Sequence, residues 1–295
     1  MLSCSVCIVC YNPTEKQAKN ILEYTSLFSK VYVIDNSDKD NSSLFNGNNM
    51  IYIANYCNEG IAKALNIGCK RALEDGFDYI MTMDQDSHWN IEELKKYLNF
   101  VEFYATSLCV SFVPNRITIS SVGSILGDIK HLIKKKREFA IDFSNQYVDR
   151  EITSGNVINL HIWKKVKGFN EDFFIDEVDF DFCFKLREAG YKILKLGDVF
   201  MEHTLGNPQK TFYPCVSYHR KERIYYIVRN MLYMKKLHPE YSRLYHYNKM
   251  LSGRFRELLF NFRIIDMLYF FRGFIDARKG IVGKYENRKS SIRKK

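Results

Sequence analysis

The sequence predicts an α/β fold in which a mostly parallel, doubly wound sheet is flanked by helices and followed by a helical extension. Strand and helix patterns alternate through the first hundred residues, and repeated βα units of this kind form parallel sheets. The 295 residues suffice for one large α/β domain with an appendage. The last third is basic and rich in Phe and Tyr, which sets the C-terminal extension apart.

The first half of the chain contains four predicted strands and two predicted helices. A Tyr-Asn-Pro break ends the first strand, the second ends at Asp35, and the fourth leads directly into Asp84. The second helix has Ile61, Ala64 and Leu65 on one face. The predicted strands cover residues 6–10, 31–34, 50–54 and 79–83, and the predicted helices cover residues 15–28 and 61–73.

The second half begins with a less regular region, residues 107–150. Its charge run at residues 134–137 indicates a solvated loop or a flap on the acceptor side. Beyond it, an acidic start and Gly190 mark the two ends of a helix. The predicted elements are a strand at 157–160, a helix at 176–189, an apolar segment at 193–200 and helical regions at 218–236 and 254–280.

The triplet Asp84-Gln85-Asp86 is the first candidate for a functional site. It follows an apolar strand, and ligands of such sheets bind beyond the carboxyl ends of the strands. Two carboxylates one residue apart can converge on a hard divalent cation, Mg²⁺ or Mn²⁺. Acidic turns without a ligand have the same sequence. Asp35 lies at the end of another strand, so the triplet and Asp35 form a group of acids rather than isolated residues.

Two further features could complete such a site. In the acidic cluster at residues 176–181, Asp176 could cap a helix and Asp179 could be an acid of its first turn. Asp179 could equally serve as a general base for an acceptor hydroxyl group, and both roles can hold together. His203 follows an apolar segment; a lone His more often packs or lies at the surface, but beside paired acids it is a candidate third ligand.

Cys4, Cys7 and Cys10 have the spacing of a metal-binding CxxCxxC motif. Within a strand, however, a spacing of three places successive side chains on opposite faces. No second Cys or His pair follows nearby. We therefore expect buried strand thiols here and no metal site.

A series of short motifs runs in order through residues 4–235. They are VCYNP (9–13), DNS (35–37), NEGIA (58–62), ALNIG (64–68), DQDS (84–87), TSG (153–155), FIDEVD (174–179), HTLG (203–206) and RN (229–230). Together they resemble family-2 glycosyltransferases of the GT-A fold, which has a Rossmann-like sheet. The DQDS and FIDEVD forms are most similar to the bacterial rhamnosyltransferase-like branch, which builds O-antigen and capsule chains.

The resemblance implies how the donor is bound. Tyr11 and Asp35 would border the nucleotide base, with Asp35 accepting a hydrogen bond from a pyrimidine N3–H, and Asp84 would face the ribose or the donor sugar. Gly60 would let the backbone pass close to the nucleotide. The implied donor-binding residues are Tyr11, Asp35, Gly60, Lys63, Asn66 and Asp84.

The resemblance also implies a metal site and a base. Asp86 and His203 would hold Mn²⁺ or Mg²⁺ on the diphosphate, and Asp179 would be the base of a single displacement. Val178 departs from the family pattern, because many relatives carry the first of two acids at this position. Asp176 and Glu177 nevertheless provide acidic side chains close to this position. The residues expected to support the site or the acceptor are Asp176, Glu177 and Arg229.

We therefore expect an inverting transferase that moves a sugar, L-rhamnose from dTDP-rhamnose, to a lipid-linked saccharide. The alternative donor is a UDP-hexose such as UDP-glucose or UDP-galactose. A nucleotidyltransferase would also pair acids with a nucleotide but would not need Asp179 or His203. A nucleic-acid-binding protein would leave the acids unexplained, and no known nucleic-acid-binding motif occurs. The missing GxxxxGK[ST] loop argues against an NTPase.

The C-terminal part carries most of the positive charge. Residues 203–295 contain 21 Lys and Arg against 6 Asp and Glu, whereas residues 1–202 have a net charge of −5. Basic and aromatic residues alternate over 254–280, as in helices at a membrane interface; the alternatives are packing on the domain or on a second subunit. We expect a transferase domain at 1–215 and a helical acceptor and membrane region at 216–295.

No secretory signal and no apolar run of ~18 residues is visible in the sequence. The eight cysteines without an export signal favour a reducing compartment. We therefore expect a cytoplasmic protein that contacts the inner face of the cell membrane peripherally.

Overall fold

The computed structural model describes residues 2–118, 144–203 and 221–285. Its strands are β1 (Cys4–Cys10), β2 (Val31–Asp35), β3 (Met50–Ala54), β4 (Tyr79–Asp84), β5 (Ser87–His88), β6 (Cys109–Thr118), β7 (Gln146–Val148), β8 (Asn156–Asn159) and β9 (Lys192–His203). Its helices are α1 (Glu15–Thr25), α2 (Ile61–Glu74), α3 (Ile91–Tyr104), α4 (Leu160–Lys165), α5 (Val178–Glu188), α6 (Lys221–Leu237), α7 (Pro239–Leu244), α8 (Tyr247–Phe260) and α9 (Ile264–Arg278). The elements predicted up to residue 83 are confirmed, with ends that differ by a few residues.

The strands form one sheet in the order β3-β2-β1-β4-β8-β6-β9-β5, and β7 pairs with β9. The first four strands are parallel, which confirms the predicted βα arrangement. In their register, Cys10 lies beside Asp35 and Val9 lies beside Asp84. Asp35 and Asp84 therefore lie at the same edge of the sheet, separated by the end of β1.

The prediction of an irregular region from residue 107 onwards is wrong for residues 109–118, which form β6. The segment was difficult to recognise because it contains Pro114, which cannot donate a hydrogen bond to a neighbouring strand. The sheet tolerates this proline because the register between β6 and β9 shifts between Pro114 and Asn115. On its other side, β6 pairs with β8 only at Ser111 and Phe112. The charge run at residues 134–137 lies outside the described residues.

The sheet separates two apolar layers. Cys7 packs in the layer that contains α2, whereas Cys4 and Cys10 pack in the layer that contains α1 and α3. This alternation confirms the expectation of strand thiols on opposite faces. Gly68 allows α2 to lie directly on β1, because a Cβ atom at this position would be 2.2 Å from Sγ of Cys7.

The C-terminal helices pack against one another and against the end of the sheet domain. Helix α9 lies against α6 at Gly273, where a Cβ atom would be 2.5 Å from the carbonyl oxygen of Tyr225. Ile224 and Val228 of α6 form a small core with side chains of α8 and α9. The predicted domain boundary at residue 215 lies outside the described residues. Within the described ranges, no helix is both long and apolar enough to cross a bilayer.

Candidate active site

Asp84 is the last residue of β4, and a serine supports its backbone. Oγ of Ser154 accepts a hydrogen bond from the Asp84 N–H at 3.2 Å and donates one to Oγ of Ser87 at 2.7 Å. Gly155 follows with a φ of +80° and donates its N–H to the carbonyl oxygen of Thr82. The Thr-Ser-Gly motif therefore fixes the two ends of the acidic turn.

Gln85 joins the end of β4 to the end of β1. Its side-chain oxygen accepts from the Tyr11 N–H at 2.8 Å, and its Nε2 donates to the Tyr11 carbonyl at 3.1 Å. The amide thus satisfies the backbone of Tyr11 where the strand pairing ends. The Tyr11 side chain stays 47% exposed at the ligand edge, where it is available to a base.

Asp86 directly precedes β5, and His203 is the last residue of β9, which pairs with β5. Ser87, the residue after Asp86, pairs with His203 in the antiparallel ladder between β5 and β9. The Asp86 side chain is exposed, and the side chain of His203 lies outside the described residues. Among the side chains that the structure does describe, no group of three or more His, Cys, Asp or Glu residues could hold an ion.

The carboxylates at this edge of the sheet are chemically suited to bind a divalent cation. Burial and, to a smaller extent, the nearby carboxylates of Asp86 and Asp179 together raise the pKa of Asp84 to about 7, against a smaller opposing effect of Arg223. Carboxylate oxygens are ligands that Mn²⁺ and Mg²⁺ prefer. A cation near Asp86 would relieve the mutual repulsion of these acids.

Asp179 lies in the first turn of α5, as predicted, and faces the same cavity as Asp84. Burial raises the pKa of its carboxyl group to about 6, while the backbone N–H groups of Asp179 itself and Thr153 oppose this shift. A carboxyl group with this pKa is mostly ionised at neutral pH and can still accept a proton.

The turn before α5 differs from the prediction. Glu177, and not Asp176, precedes the first residue of the helix, and its side chain makes no capping hydrogen bond. The prediction that Asp176 caps the helix is therefore wrong. The Asp176 carboxylate instead pairs with the guanidinium group of Arg223, at 2.9 to 3.2 Å.

Glu177 is largely surrounded by protein. Burial raises the pKa of its carboxyl group to about 7, and a 2.7 Å hydrogen bond from the hydroxyl group of Tyr247 opposes this shift. Glu177 also lines the cavity, so it is a cavity acid that can be protonated near neutral pH.

A cavity of about 760 Å³ connects these acids. One wall is formed by α5 and the turn before it, and the opposite wall by α6 and α8. Acids line the end at the sheet edge, and apolar side chains line much of the rest. The lining residues include Asp84, Thr153, Asp176, Glu177, Asp179, Arg223, Ile227, Met231, Met250 and Glu257.

Asp35 is fully buried at the end of β2. Its carboxylate accepts hydrogen bonds from Ser37, from Nδ2 of Asn41 at 2.8 Å and from the hydroxyl group of Tyr52 at 2.7 Å. The carboxylate therefore orders the loop after β2. Contact between Asp35 and the nucleotide base stays a prediction. Such a contact requires one of these hydrogen bonds to be replaced by a hydrogen bond from the nucleotide base.

Two predicted donor-binding residues of α2 make contacts within the protein. The side-chain nitrogen of Asn66 donates to the Phe169 carbonyl oxygen, and its side-chain oxygen accepts from the Phe169 N–H, at 2.9 Å each. The nitrogen also donates to the Glu171 carboxylate. Lys63 pairs with Glu59 at 2.6 Å on a partly exposed surface. Contacts of Asn66 and Lys63 with the nucleotide stay predictions, and Asn66 has a structural role that the sequence did not indicate.

Gly60 was predicted to lie close to the nucleotide, and Arg229 was predicted to support the site or the acceptor. Both residues contact the turn before α5. Gly60 has a φ of +87°, and a Cβ atom there would be 2.6 Å from the carbonyl oxygen of Phe174. Arg229 is fully buried and donates to the carbonyl oxygens of Asp172 and Phe173. The close approach at Gly60 is thus to protein backbone, and the role of Arg229 is a supporting one in this structure.

Sequence reasoning did not assign Arg223 and Tyr247 to the site. Arg223 lies in the predicted helical region 218–236, Tyr247 lies outside the predicted helical regions, and neither belongs to a recognised motif. An arginine six residues before the Arg-Asn motif, in the same predicted helix, was the available signal for Arg223. No signal in the sequence pointed to Tyr247.

Comparisons with known proteins agree on one family. A family model described as glycosyl transferase family 2 matches residues 5–153, about half of the chain. The dTDP-rhamnosyl transferase RfbF of Shigella flexneri is 28% identical over 240 residues, which cover 78% of this chain and 79% of RfbF.

Solved structures share the fold at lower identity. A crystal structure of GalNAc-T7 with UDP, GalNAc and Mn²⁺ matches 79% of this chain with a TM-score of 0.54 and 13% identity. Residues 1–349 of S. aureus TarS, in complex with UDP-GlcNAc, match 79% of the chain with a TM-score of 0.52 and 17% identity. The chain spans 51% of the GalNAc-T7 chain and 66% of the TarS fragment.

Proposed function

The chain belongs to glycosyl transferase family 2, and from this premise we propose that it is an inverting transferase that moves L-rhamnose from dTDP-rhamnose to a lipid-linked saccharide. The proposed pathway is the synthesis of O-antigen or capsule polysaccharide. The observation that carries the proposal is the shared cavity of Asp84, at a strand end, and Asp179, at a helix start.

The proposed reaction is a single displacement with Asp179 as the base. An Oδ atom of Asp179 takes the proton of the acceptor hydroxyl group, whose oxygen forms a bond to the anomeric carbon of the donor. The bond from that carbon to the diphosphate oxygen breaks, and the nucleoside diphosphate leaves with the electron pair. Attack from the face opposite the leaving group inverts the anomeric centre. No covalent enzyme intermediate is needed.

The remaining predicted site residues at the sheet edge are assigned to the nucleotide-sugar donor and its cation. We assign contact with the donor sugar or the ribose to Asp84. Contact with the nucleotide base is assigned to Tyr11 and Asp35. Asp86 and His203 would hold Mn²⁺ or Mg²⁺, which stabilises the negative charge of the leaving diphosphate. Mn²⁺ in the GalNAc-T7 structure supports this assignment.

The acceptor is assigned to the cavity between α5, α6 and α8. Its polar end offers Asp179 and Glu177, and its apolar walls, with Met231 and Met250, suit the less polar faces of sugar rings. Arg254 and Glu257 form an ion pair at its far side. A saccharide could thus place one hydroxyl group at Asp179 while its ring packs on the walls.

The choice of donor rests on the similarity to RfbF. RfbF is named as a dTDP-rhamnosyl transferase, and it aligns over most of both chains. The alternative is a UDP-hexose, since TarS and GalNAc-T7 were crystallised with UDP or a UDP-sugar. Both donors carry a pyrimidine base, so the proposed base contact does not separate them.

A peripheral membrane contact completes the proposal. Some of the apolar side chains of residues 254–280 pack inward, among them Leu258 and Phe270, which are buried. The remainder forms an exposed apolar surface at the junction of α8 and α9, with Phe262 82% and Ile264 71% exposed. Exposed basic side chains lie on the same two helices, and such a combination suits an anionic lipid surface. These basic residues include Arg256 and Arg278, and Lys279 directly follows α9.

A donor panel tests the proposed function. The purified protein is incubated with dTDP-rhamnose, UDP-glucose, UDP-galactose and UDP-GlcNAc, with Mn²⁺, with Mg²⁺ or with EDTA, and release of nucleoside diphosphate is measured. We expect metal-dependent turnover of dTDP-rhamnose. Turnover of a UDP-sugar instead would select the alternative donor, and an absence of binding or turnover of every sugar nucleotide would refute the proposal.

A further inference from the structure

The segment before α5 has an unusual backbone. In this segment, which we call the 172–177 turn, Phe174, Asp176 and Glu177 have φ angles of +64°, +63° and +64°. Residues with a Cβ atom rarely adopt this conformation, and for a bulky side chain such as that of Phe174 it is a real outlier. A backbone of this kind persists only where its surroundings hold it in place, and it is frequent at functional sites.

Asn230 of α6 holds the turn from one side. Its Nδ2 lies 3.0 Å from the carbonyl oxygen of Phe173, 2.6 Å from that of Ile175 and 2.9 Å from that of Asp176. The side chain is fully buried, so water does not compete for these bonds. One amide group thus satisfies carbonyls on both sides of Phe174.

Arg229, the neighbour of Asn230, extends this contact. Its Nη2 donates to the carbonyl oxygens of Asp172 at 3.1 Å and Phe173 at 3.0 Å, and its Nη1 donates to that of Gly283. Its Nε donates to Oδ1 of Asn230 at 2.9 Å, which orients the amide so that its nitrogen faces the turn. The guanidinium group is directed at protein backbone and is fully buried, so it is not available to a substrate.

Helix α2 holds the turn from the other side. The N–H of Ile61 donates to the carbonyl oxygen of Phe174 at 2.8 Å. Gly60 leaves room for this contact, because any Cβ atom there would collide with the same oxygen. Every carbonyl from residue 172 to residue 176 therefore accepts a hydrogen bond from outside the turn.

The position of Asp179 depends on this turn. Glu177, the last residue of the turn, directly precedes α5, and Asp179 is the second residue of that helix. A shift of the turn would move the start of α5 and with it the carboxylate that faces the cavity. Neither Arg229 nor Asn230 lines the cavity, so each can influence the reaction only through the backbone that it holds.

We propose that Arg229 and Asn230 are positioning residues, which hold the 172–177 turn in its left-handed conformation and thereby aim Asp179 at the acceptor hydroxyl group. The inference rests on the proposed role of Asp179 as the base. It also gives the Arg-Asn motif a function that does not involve contact with donor or acceptor.

The test uses Asn230→Asp in the full chain. The substitution keeps the shape of the side chain but replaces its donor group with an oxygen that repels the three carbonyls. We expect kcat to fall by about ten- to a hundred-fold, because small displacements of a catalytic group have effects of this size. The donor KM should stay within about two-fold, since the donor-binding edge of β1, β2 and β4 is not involved. Hydrogen exchange of the amides of residues 172–181 should become faster.

Asn49→Asp is the matched control. Nδ2 of Asn49 also donates to two main-chain carbonyls, of Thr25 and Phe28, but at the opposite edge of the sheet. This variant should keep the wild-type kcat per folded molecule and the wild-type exchange of residues 172–181. If it loses as much activity as Asn230→Asp, the positioning role is refuted.

Gly60→Ala provides a second, independent displacement of the turn, from the side of α2, and covers the case in which Asn230→Asp does not fold. It should lower kcat and increase exchange in residues 172–181. Unchanged exchange in these variants, or wild-type kcat despite faster exchange, would overturn the proposal. Exchange does not require a donor, so failure of the wild-type enzyme to use any sugar nucleotide would count against the proposed function alone.

Discussion

The hydroxyl group of Tyr247 donates a 2.7 Å hydrogen bond to Oε2 of Glu177, and this bond joins α8 to the residue that precedes α5. Tyr247 is buried, and Glu177 lines the cavity two residues before Asp179. The C-terminal helices are thus connected to the proposed catalytic turn by a side-chain bond as well as by the backbone contacts of α6. The proposed acceptor wall and the proposed base, Asp179, are therefore parts of one packed unit.

The first prediction concerns stability and pH at Glu177. Its folded-state pKa of about 7 lies above the ordinary value of 4.5, so between these pH values the folded chain keeps a proton that the unfolded chain has lost. Through this group, stability falls as the pH rises from about 4.5 to about 7 and then stays constant. Glu177→Gln should reduce this fall, as measured by urea unfolding across the range. An unchanged pH dependence would contradict the prediction.

The second prediction concerns Asp179 as the base. Asp179→Asn should lower kcat by roughly 100- to 10,000-fold, the usual contribution of general base catalysis, with donor binding nearly unchanged. In the wild-type enzyme, kcat/KM should fall as the pH drops below about 6, because protonation of Asp179 removes the base. Asp198→Asn, at an exposed acid that pairs with Lys96, is the control and should have wild-type activity. Loss of donor binding in Asp179→Asn would assign the residue a structural role instead.

The third prediction concerns Asp86 and the cation. Asp86→Asn should weaken the dependence of activity on Mn²⁺ and reduce kcat/KM by about 100- to 1,000-fold, since a metal contributes several kcal/mol to charge stabilisation. Higher Mn²⁺ concentrations should restore part of the loss. Titration of activity with Mn²⁺ measures both effects. Wild-type activity of Asp86→Asn at low Mn²⁺ would remove this residue from the metal site.

The sheet edge and its acids could be predicted from the sequence because their signals are local. Apolar runs that stop at Asp35 and Asp84 mark the ends of parallel strands, and the register across β1 brings them to one edge. The position of Asp179 in the first turn of a helix was also visible from its neighbours. These features depend on residues that are close in the sequence.

The roles of other residues depend on contacts between distant parts of the chain. Asn66 bonds a segment 103 residues away, and Arg229 bonds the 172–177 turn from more than 50 residues away. Nothing near either residue in the sequence indicates its partner. Strand β6 was missed for a different reason: it contains Pro114, and the irregular pairing with β9 that accommodates this proline is not visible in the local sequence.

The last prediction concerns the exposed apolar surface at the junction of α8 and α9. Replacing Phe262, Ile264 and Leu268 together with Ser should abolish flotation with vesicles that contain anionic phosphatidylglycerol. A fully buried side chain of this kind contributes ~1.5–3 kcal/mol, so losing three should weaken binding by at least roughly 1,000-fold. The wild-type protein should float with these vesicles, less so at high salt, because the basic side chains nearby are screened.

Phe103→Ser is the matched control, because Phe103 is 77% exposed on α3, away from the proposed membrane surface. It should float like the wild-type protein. If the triple variant floats equally well, the membrane contact is refuted. If the wild-type protein does not float but forms dimers that the triple variant cannot form, the surface binds a second copy of the chain, and the proposed membrane contact is refuted in that case too.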